Sequence, residues 1–248
     1  MKIINKLILL SLFIVLITGC SYDELDKHNK NIDLTEKQIE ILVDNEINRE
    51  LTSTDMEQLD IIEDALQYLE NKYNKDFGFI QYNEHNLLND GYMLAYSKTD
   101  DKYLGSFVVW ANNETYEDTY MNKAIRFEFR DYIKDEVDTL TKNTPSEVIV
   151  DVCSTNLTDI PTDYKEFNDN VESSIWIFLD GEYFSVSQTE ELEDKLKEWL
   201  NKQRIYGVVH IILLNNNSIQ YVDNTNFTDY ITEENYKIKE TFGVYNDK

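Results

Sequence analysis

Cys153 and His210 are the two side chains in this sequence that could form a nucleophilic pair. Cys153 ends a valine-rich predicted strand, and His210 lies within a later apolar strand. If those strands are neighbours, the imidazole could activate the thiol as a base. The alternative is that Cys153 is a small buried apolar residue and that His210, on one strand face with Val208 and Ile212, is structural. No third orienting residue accompanies the pair, so the sequence favours the structural interpretation.

Other catalytic and ligand-binding patterns are not found in the sequence. His28 and His85 have no second ligand at helical or hairpin spacing, so a zinc site is unsupported. The acidic run from Asp223 to Asp229 lacks the ligand alternation, central glycine and terminal glutamate of a calcium loop. The seven glycines are scattered and form no phosphate loop, and with 48 acidic residues a catalytic carboxylate pair cannot be singled out. We therefore expect no metal and no cofactor.

Aromatic residues give the best indication of a binding surface. Six of them gather on two predicted strands and the loop that follows: Tyr92, Tyr96, Tyr103, Trp110, Tyr116 and Tyr120. Tyrosine and tryptophan combine a large apolar area with a polar tip, which suits them to interfaces, although core packing also uses them. We select Tyr116 and Tyr120, beside the loop Asn112-Asn113-Glu114, together with Trp110 as a candidate interaction surface.

Hydrophobic periodicity predicts an α-β-β-β-α module in the first half. Helices are predicted after capping boxes at Thr35/Gln38 and Thr54/Glu57, the second running to about Tyr73. Turn residues separate three predicted strands: Phe77 to Tyr82, Gly91 to Ser97 and Tyr103 to Trp110. A long helix is predicted from Asp118 to about Lys142, although Arg126 to Arg130 alternates as a strand would.

The second half is predicted to be a mixed, largely antiparallel sheet with packed helices. Thr144-Pro145 is the predicted domain boundary, because proline cannot continue the helix. The predicted strands are Glu147 to Cys153, Ile175 to Leu179, Glu182 to Val186, Val208 to Leu214 and Ile219 to Val222, with a hairpin turn at Asp180-Gly181. Helices are predicted from Pro161 to Asn168, from a Ser187/Glu190 capping box to Leu200, and from Thr232 to Glu240. The fold class is therefore α+β with two small modules.

The first residues have the features of an export signal. Met1 to Lys6 is short and basic, and Leu7 to Ile17 is apolar apart from Ser11. That apolar stretch is too short for a transmembrane helix, which needs roughly 20 residues. Residues 1–19 are therefore predicted to be a cleaved signal peptide.

The sequence Ile17-Thr18-Gly19-Cys20 resembles the lipobox of bacterial lipoproteins. The resemblance implies that Cys20 is acylated with diacylglycerol and that a peptidase cuts before it; the alternative is an ordinary signal peptide with a coincidental cysteine. Two acyl chains give stable membrane anchoring. Residues 20–34 then form a lipidated tether, residues 35–143 the N-terminal module and residues 144–248 the C-terminal module. The expected location is the outer face of the cytoplasmic membrane.

The charge of the chain limits its partners. Without residues 1–19, which hold two lysines, the chain has 21 basic and 48 acidic side chains and a formal charge of 21 − 48 = −27. Nucleic acid is excluded as a partner, because binding it depends on lysine and arginine replacing counterions. Anionic headgroups should repel the body, so the lipid anchor supplies the membrane attachment. With Cys20 lipidated, Cys153 has no disulfide partner within the chain.

Several segments resemble a family of uncharacterised Gram-positive surface lipoproteins. They are Ala65 to Tyr73 before the strand at Phe77, the helix start Asp118-Thr119-Tyr120, and Glu128 to Ile133. The second half, with an acidic leucine-rich helix leading into an apolar strand, is similar to the same group. The resemblance covers most of the mature chain and implies the fold and location, but no activity.

Three functions fit these observations. The first is a non-catalytic envelope protein that binds a protein, a peptide or a cell-wall component, and the sequence favours it. The second is an exported hydrolytic enzyme that uses Cys153 and His210 or a carboxylate pair. The third is a structural spacer, which predicts a convex surface without a pocket.

Overall fold

The computed structural model describes residues 33–83, 91–100, 105–112, 115–142, 144–215 and 218–245. Helices and two four-stranded sheets confirm the α+β class with two sheet modules. The chain divides into two compact units, one ending at Asp118 and the other beginning at Thr119. The division therefore falls before the long helical segment, whereas the sequence placed it at Thr144-Pro145.

The first unit is an antiparallel sheet with two helices. The helices are α1 (Glu36–Asp44) and α2 (Ser53–Tyr73). The strands are β1 (Phe77–Asn83), β2 (Tyr92–Ser97), β3 (Phe107–Asn112) and β4 (Thr115–Asp118), in the spatial order β1-β2-β3-β4. The short, polar β4 was not predicted, because its four residues show no buried face in the sequence.

Capping side chains fix where both helices begin. The predicted Thr35/Gln38 capping box of α1 is confirmed. The box of α2 is formed by Thr52 and Asp55, so the predicted Thr54/Glu57 box is wrong by two residues. Several polar residues in succession can cap a helix, and the choice depends on which register turns the apolar stripe towards the sheet.

One face of the first sheet packs against α2. Phe77, Met93, Ala95, Phe107 and Val109 are buried on the sheet side. Leu59, Ile62, Ala65, Leu66 and Leu69 are buried on the helix side. Burial of this many apolar side chains is the main stabilising contribution in the unit.

The second unit has a mixed sheet. Its helices are α3 (Tyr120–Ala124), α4 (Arg126–Leu140) and α5 (Val186–Gln203). Its strands are β5 (Ser146–Thr155), β6 (Val171–Leu179), β7 (Tyr206–Leu214) and β8 (Tyr236–Val244), in the order β5-β6-β7-β8. β6 and β7 are parallel, and the other two pairs are antiparallel.

The predicted hairpin at Asp180-Gly181 is wrong. The amides of Tyr183 and Phe184 donate to the Asp180 carbonyl, and the turn leads directly into α5. The capping box of α5 is formed by Ser185 and Gln188, rather than by Ser187 and Glu190. This helix carries the chain from β6 to the parallel β7, a crossover that an isolated turn motif does not reveal.

Two predictions near the carboxyl end are also wrong. Ile219–Tyr221 is a 3-10 turn rather than a strand, and the predicted helix from Thr232 to Glu240 is largely the strand β8. Residues Tyr236–Val244 pair with β7, which would otherwise lose half of its backbone hydrogen bonds. Sheet pairing therefore overrides the local helix propensity of this segment.

The segment predicted as one long helix contains two. Ile125 separates α3 from α4, and the alternating residues 126–130 are helical. Phe129, Ile133 and Val137 are buried, and α4 packs against β5. The predicted helix after Pro161 is a 3-10 turn, Tyr164–Phe167.

Among the helices that the structure describes, none is both long and apolar enough to cross a bilayer.

Gly207 is predicted to be indispensable to the second sheet. Its φ is +139°, and a Cβ there would lie 1.8 Å from the Ser173 carbonyl oxygen. Gly207→Ala should lower the free energy of unfolding by about 3 kcal/mol or more, because backbone would have to move. Gly243→Ala in β8 is the matched control, since its Cβ meets only the exposed ring of Tyr245. Equal urea midpoints for the two variants would contradict this account.

Candidate functional site

The lipobox residues Ile17, Thr18, Gly19 and Cys20 lie outside the described residues, as does most of the predicted tether. Their predicted roles remain predictions.

The Cys153 and His210 side chains do not form a pair. Cys153 is on β5 and His210 on β7, and β6 lies between those strands. Cys153 is exposed, so its interpretation as a small buried residue is wrong. The thiol is near the Ser174 hydroxyl, at 3.8 Å, while Nδ1 of His210 is 2.9 Å from the Thr241 hydroxyl. The His210 ring stacks on Trp176. Burial, reinforced by the charge of Lys239, lowers the pKa of His210.

The three predicted interaction residues have different environments. Tyr120 is 1% exposed and belongs to the core of the second unit, so its assignment to an interaction surface is wrong. Its position at the start of α3 turns the ring inward, and the sequence could not show this. Trp110 and Tyr116 are half-buried and both line one pocket of the first unit.

This pocket, called the first pocket below, lies between α2 and the sheet. Its volume is about 250 Å³. Three residues of α2 line it, namely Ile61, Ile62 and Ala65. The rest of the lining comes from the four strands and from Gly91, which precedes β2: Tyr82, Gly91, Tyr92, Met93, Val109, Trp110, Ala111 and Tyr116. The lining is apolar. Tyr82 and Tyr116 pair with Met93 and Ala111 and share the face of the sheet towards α2, whereas Tyr92 and Trp110 pair with each other on the opposite face. Such a lining suits an apolar group whose polar neighbours meet tyrosine hydroxyls.

Small side chains explain why the pocket is open. Ala65 is the helix residue facing this end of the sheet, and Gly91 and Ala111 are opposite it. Close packing of a helix on a sheet requires side chains that fill the space between them, and these small side chains do not fill it. Elsewhere in the layer, Phe77 and Phe107 meet edge to face, with ring centroids 5.7 Å apart, and fill it.

Tyr116 forms the β4 side of the pocket. Its ring lies 5.7 Å from the ring of Tyr68 on α2. Burial raises the pKa of Tyr116, and the nearby charge of Asp64 raises it further. The Tyr116 hydroxyl therefore stays protonated at neutral pH, and a carboxylate stands close to it.

A buried carboxylate fixes β4 to the helix. The Asp118 side chain is 0% exposed. It accepts hydrogen bonds from the Tyr73 hydroxyl at 2.9 Å, from Lys72 Nζ at 2.8 Å and from the Tyr68 hydroxyl at 3.1 Å. Burial alone would lower the pKa of Lys72, but its hydrogen bonds with Asp118, Tyr68 and Tyr73 raise that pKa well above its ordinary range. Asp118 thus joins the last turns of α2 to the strand that carries Tyr116.

The sequence indicated only part of this site. Trp110 and Tyr116 were selected for their aromatic side chains, whereas Ile61, Ala65 and Ala111 carry no signal of their own. The missing signal is tertiary, because only the packing of α2 on the sheet brings small residues opposite one another. Within the described part of the chain, no group of three or more His, Cys, Asp or Glu side chains is arranged to hold a metal ion.

Comparisons with known proteins add little. No protein-family model matches the chain, and no curated protein matches it. One similar solved structure is the crystal structure of a DUF5037 family protein from Ruminococcus gnavus ATCC 29149. It is 17% identical, the likeness covers 74% of this chain and 90% of that chain, and the TM-score is 0.38. A likeness at this level supports no argument about function.

Asp118→Asn should destabilise the first unit. The variant leaves Lys72 without its charged partner in a half-buried position, which should lower the free energy of unfolding by about 2–4 kcal/mol. Asp44→Asn, which loses only an exposed pair with Lys98, is the control and should cost about 1 kcal/mol or less. Trp110 fluorescence in a background lacking Trp176 and Trp199 reports urea unfolding of this unit alone. Equal losses in both variants would contradict the proposed role.

Proposed function

We propose that this protein is a lipid-anchored, extracytoplasmic binding protein without catalytic activity. Its ligand is an apolar group presented by a protein, peptide or cell-wall partner, and the binding site is the first pocket. The observation that carries the proposal is the apolar lining of this pocket, with Tyr82 and Tyr116 on its sheet side, in a chain whose surface is strongly acidic.

The size of the pocket favours a side chain over a free cofactor. Small-molecule sites typically enclose about 300–1,000 Å³, whereas a cavity of about 150 Å³ already holds benzene. A pocket of about 250 Å³ is therefore suited to one large apolar side chain or a similar group. The exposed Ile61 at its edge, 40% accessible, extends the apolar surface that a partner would cover.

The competing functions lack such support. The lining of the first pocket contains neither Cys153 nor any Asp or Glu, so it offers no nucleophile or carboxylate pair for hydrolysis. The separation of Cys153 from His210 removes the other hydrolytic arrangement. A spacer predicts a convex surface without a pocket, and the presence of this pocket argues against it.

Photo-crosslinking on intact cells tests the binding proposal. A photoreactive amino acid at Ile61 should form specific adducts with the partner. Ala111→Phe, which places a ring in the pocket from its exposed edge, should abolish them. Ile80→Phe is the matched control, because Ile80 is exposed on β1 and does not line the pocket. Adducts that are unaffected by Ala111→Phe, or their absence, would overturn the proposal.

The membrane anchor is tested separately at Cys20. In the unsubstituted protein, we expect an amino terminus at Cys20 that is blocked by lipid and a chain that fractionates with membranes. Cys20→Ser should prevent acylation and processing, and change the electrophoretic mobility. Cys153→Ser is the control and should leave fractionation and mobility unchanged. An unprocessed amino terminus in the unsubstituted protein would disprove the anchor.

A further inference from the structure

A second pocket adjoins the first one in the same unit. It has a volume of about 140 Å³ and is lined by apolar residues of α1, α2, β1 and the segment between the helices, and also by Gln58 and the ion pair of Arg49 with Asp55. Ile47, Leu51 and Phe79 contribute to it. Ile62 and Tyr82 line both pockets, so the two are neighbours. The two pockets together are called the double groove below, and each of them is one recess.

Each recess has room for one apolar side chain. The second has about the volume of a cavity that holds benzene, and the first is somewhat larger. Two neighbouring recesses suit a peptide that presents two apolar side chains a short distance apart, as in other groove-binding modes.

Acidic residues lie on the exposed surface of α2, and Asp64 is near Tyr116 of the first pocket. Glu57, Asp60 and Asp64 are exposed and lie three or four residues apart, so they share the surface of α2 with Ile61. Asp60 also accepts a hydrogen bond from Gln38 Nε2. The one basic residue of α2 is Lys72, which is bound to Asp118. These three acids are called the acidic ridge below.

The first unit offers little positive charge to balance the ridge. Residues 33–118 contain 20 acidic and 6 basic side chains, a formal charge of 6 − 20 = −14. Each basic side chain in the described part of this range is in an ion pair within the unit: Lys37, Arg49, Lys72, Lys75 and Lys98. The acid excess is therefore directed at solvent or at a cationic partner.

We propose that the double groove binds a cationic peptide segment that inserts two apolar side chains, while its lysine or arginine side chains face the acidic ridge. This inference rests on the proposed binding function and specifies the class of partner. An anionic peptide would be repelled by the ridge. A neutral apolar ligand would fill the recesses without using the charge.

A set of synthetic peptides tests the inference on the full chain carrying Cys20→Ser. The probe has two leucines embedded among lysines, with the leucines separated by one, two or three lysines in different peptides. Matched peptides replace lysine with glutamine, lysine with glutamate, or leucine with glycine. Calorimetric titration should show that at least one lysine-leucine peptide binds and that its matched peptides bind at least about tenfold more weakly. Added salt should weaken the binding of the lysine-leucine peptide.

Variants of the groove assign the binding to its parts. Ala111→Phe and Ile47→Trp fill the first and second recess respectively, and each should weaken binding about tenfold or more. Asp64→Asn should weaken it less and reduce the salt dependence, because it removes one charge of the ridge. Ile80→Phe should have no effect. Circular dichroism and thermal unfolding verify that each variant is folded.

The outcomes separate this inference from the proposed function. Equal binding of the glutamine and lysine peptides, or the absence of any effect of Ile47→Trp, would overturn the cationic two-recess ligand. If Ala111→Phe still abolishes the crosslinks on cells in that case, the first pocket remains a binding site for another class of ligand. If the peptide results fail and Ala111→Phe also leaves the crosslinks on cells unchanged, both proposals are overturned.

Discussion

The apolar contact between α2 and the first sheet is the interaction on which the candidate site depends. Where Phe77 and Phe107 lie in this layer, side chains fill the space between helix and sheet. Where Ala65 and Ala111 lie, they do not, and the pocket remains. The buried Asp118 holds the filled end together through Tyr68, Tyr73 and Lys72. One end of α2 is thus firmly attached to the sheet, and the sparsely filled other end leaves a pocket whose helical wall is stable.

The excess of acidic residues also affects the stability and the surface of the first unit. A large excess of carboxylates disfavours the compact state through self-repulsion. In the first unit, the described lysines and arginine are engaged in ion pairs, so local attraction offsets part of the repulsion. Glu57, Asp60 and Asp64 remain exposed on α2, and Asp64 lies near Tyr116 of the first pocket. A surface of this kind discriminates among partners by charge, while the recesses supply apolar contact.

The second unit stabilises its sheet differently, and a pocket of about 180 Å³ in this unit is lined mainly by polar and charged side chains. Its central strands β6 and β7 are covered by helices on one face, and Phe178, Ile212 and Leu214 pack on the other with Val222. Cys153 and His210 lie on strands separated by β6, where they contact Ser174 and Thr241. The contacts of His210 with Thr241 and Trp176 agree with a structural role for that residue, whereas Cys153 is exposed and is not the buried residue that the structural interpretation assumed. The binding proposal therefore concerns the first unit.

Much of the local structure was determined by the sequence. The stripe of apolar residues and the Thr35 cap specified α1, and the strands β1, β2, β5 and β7 were predicted to within two residues at each end, because burial periodicity is a local property. The polar β4, the parallel pairing of β6 with β7 and the strand β8 depend on backbone partners far along the chain. The same difference separates Tyr116 from Tyr120. Both were recognisable as aromatic, but only the packing of the elements decided that one ring borders a pocket and the other fills a core, since burial depends on contacts that no local pattern records.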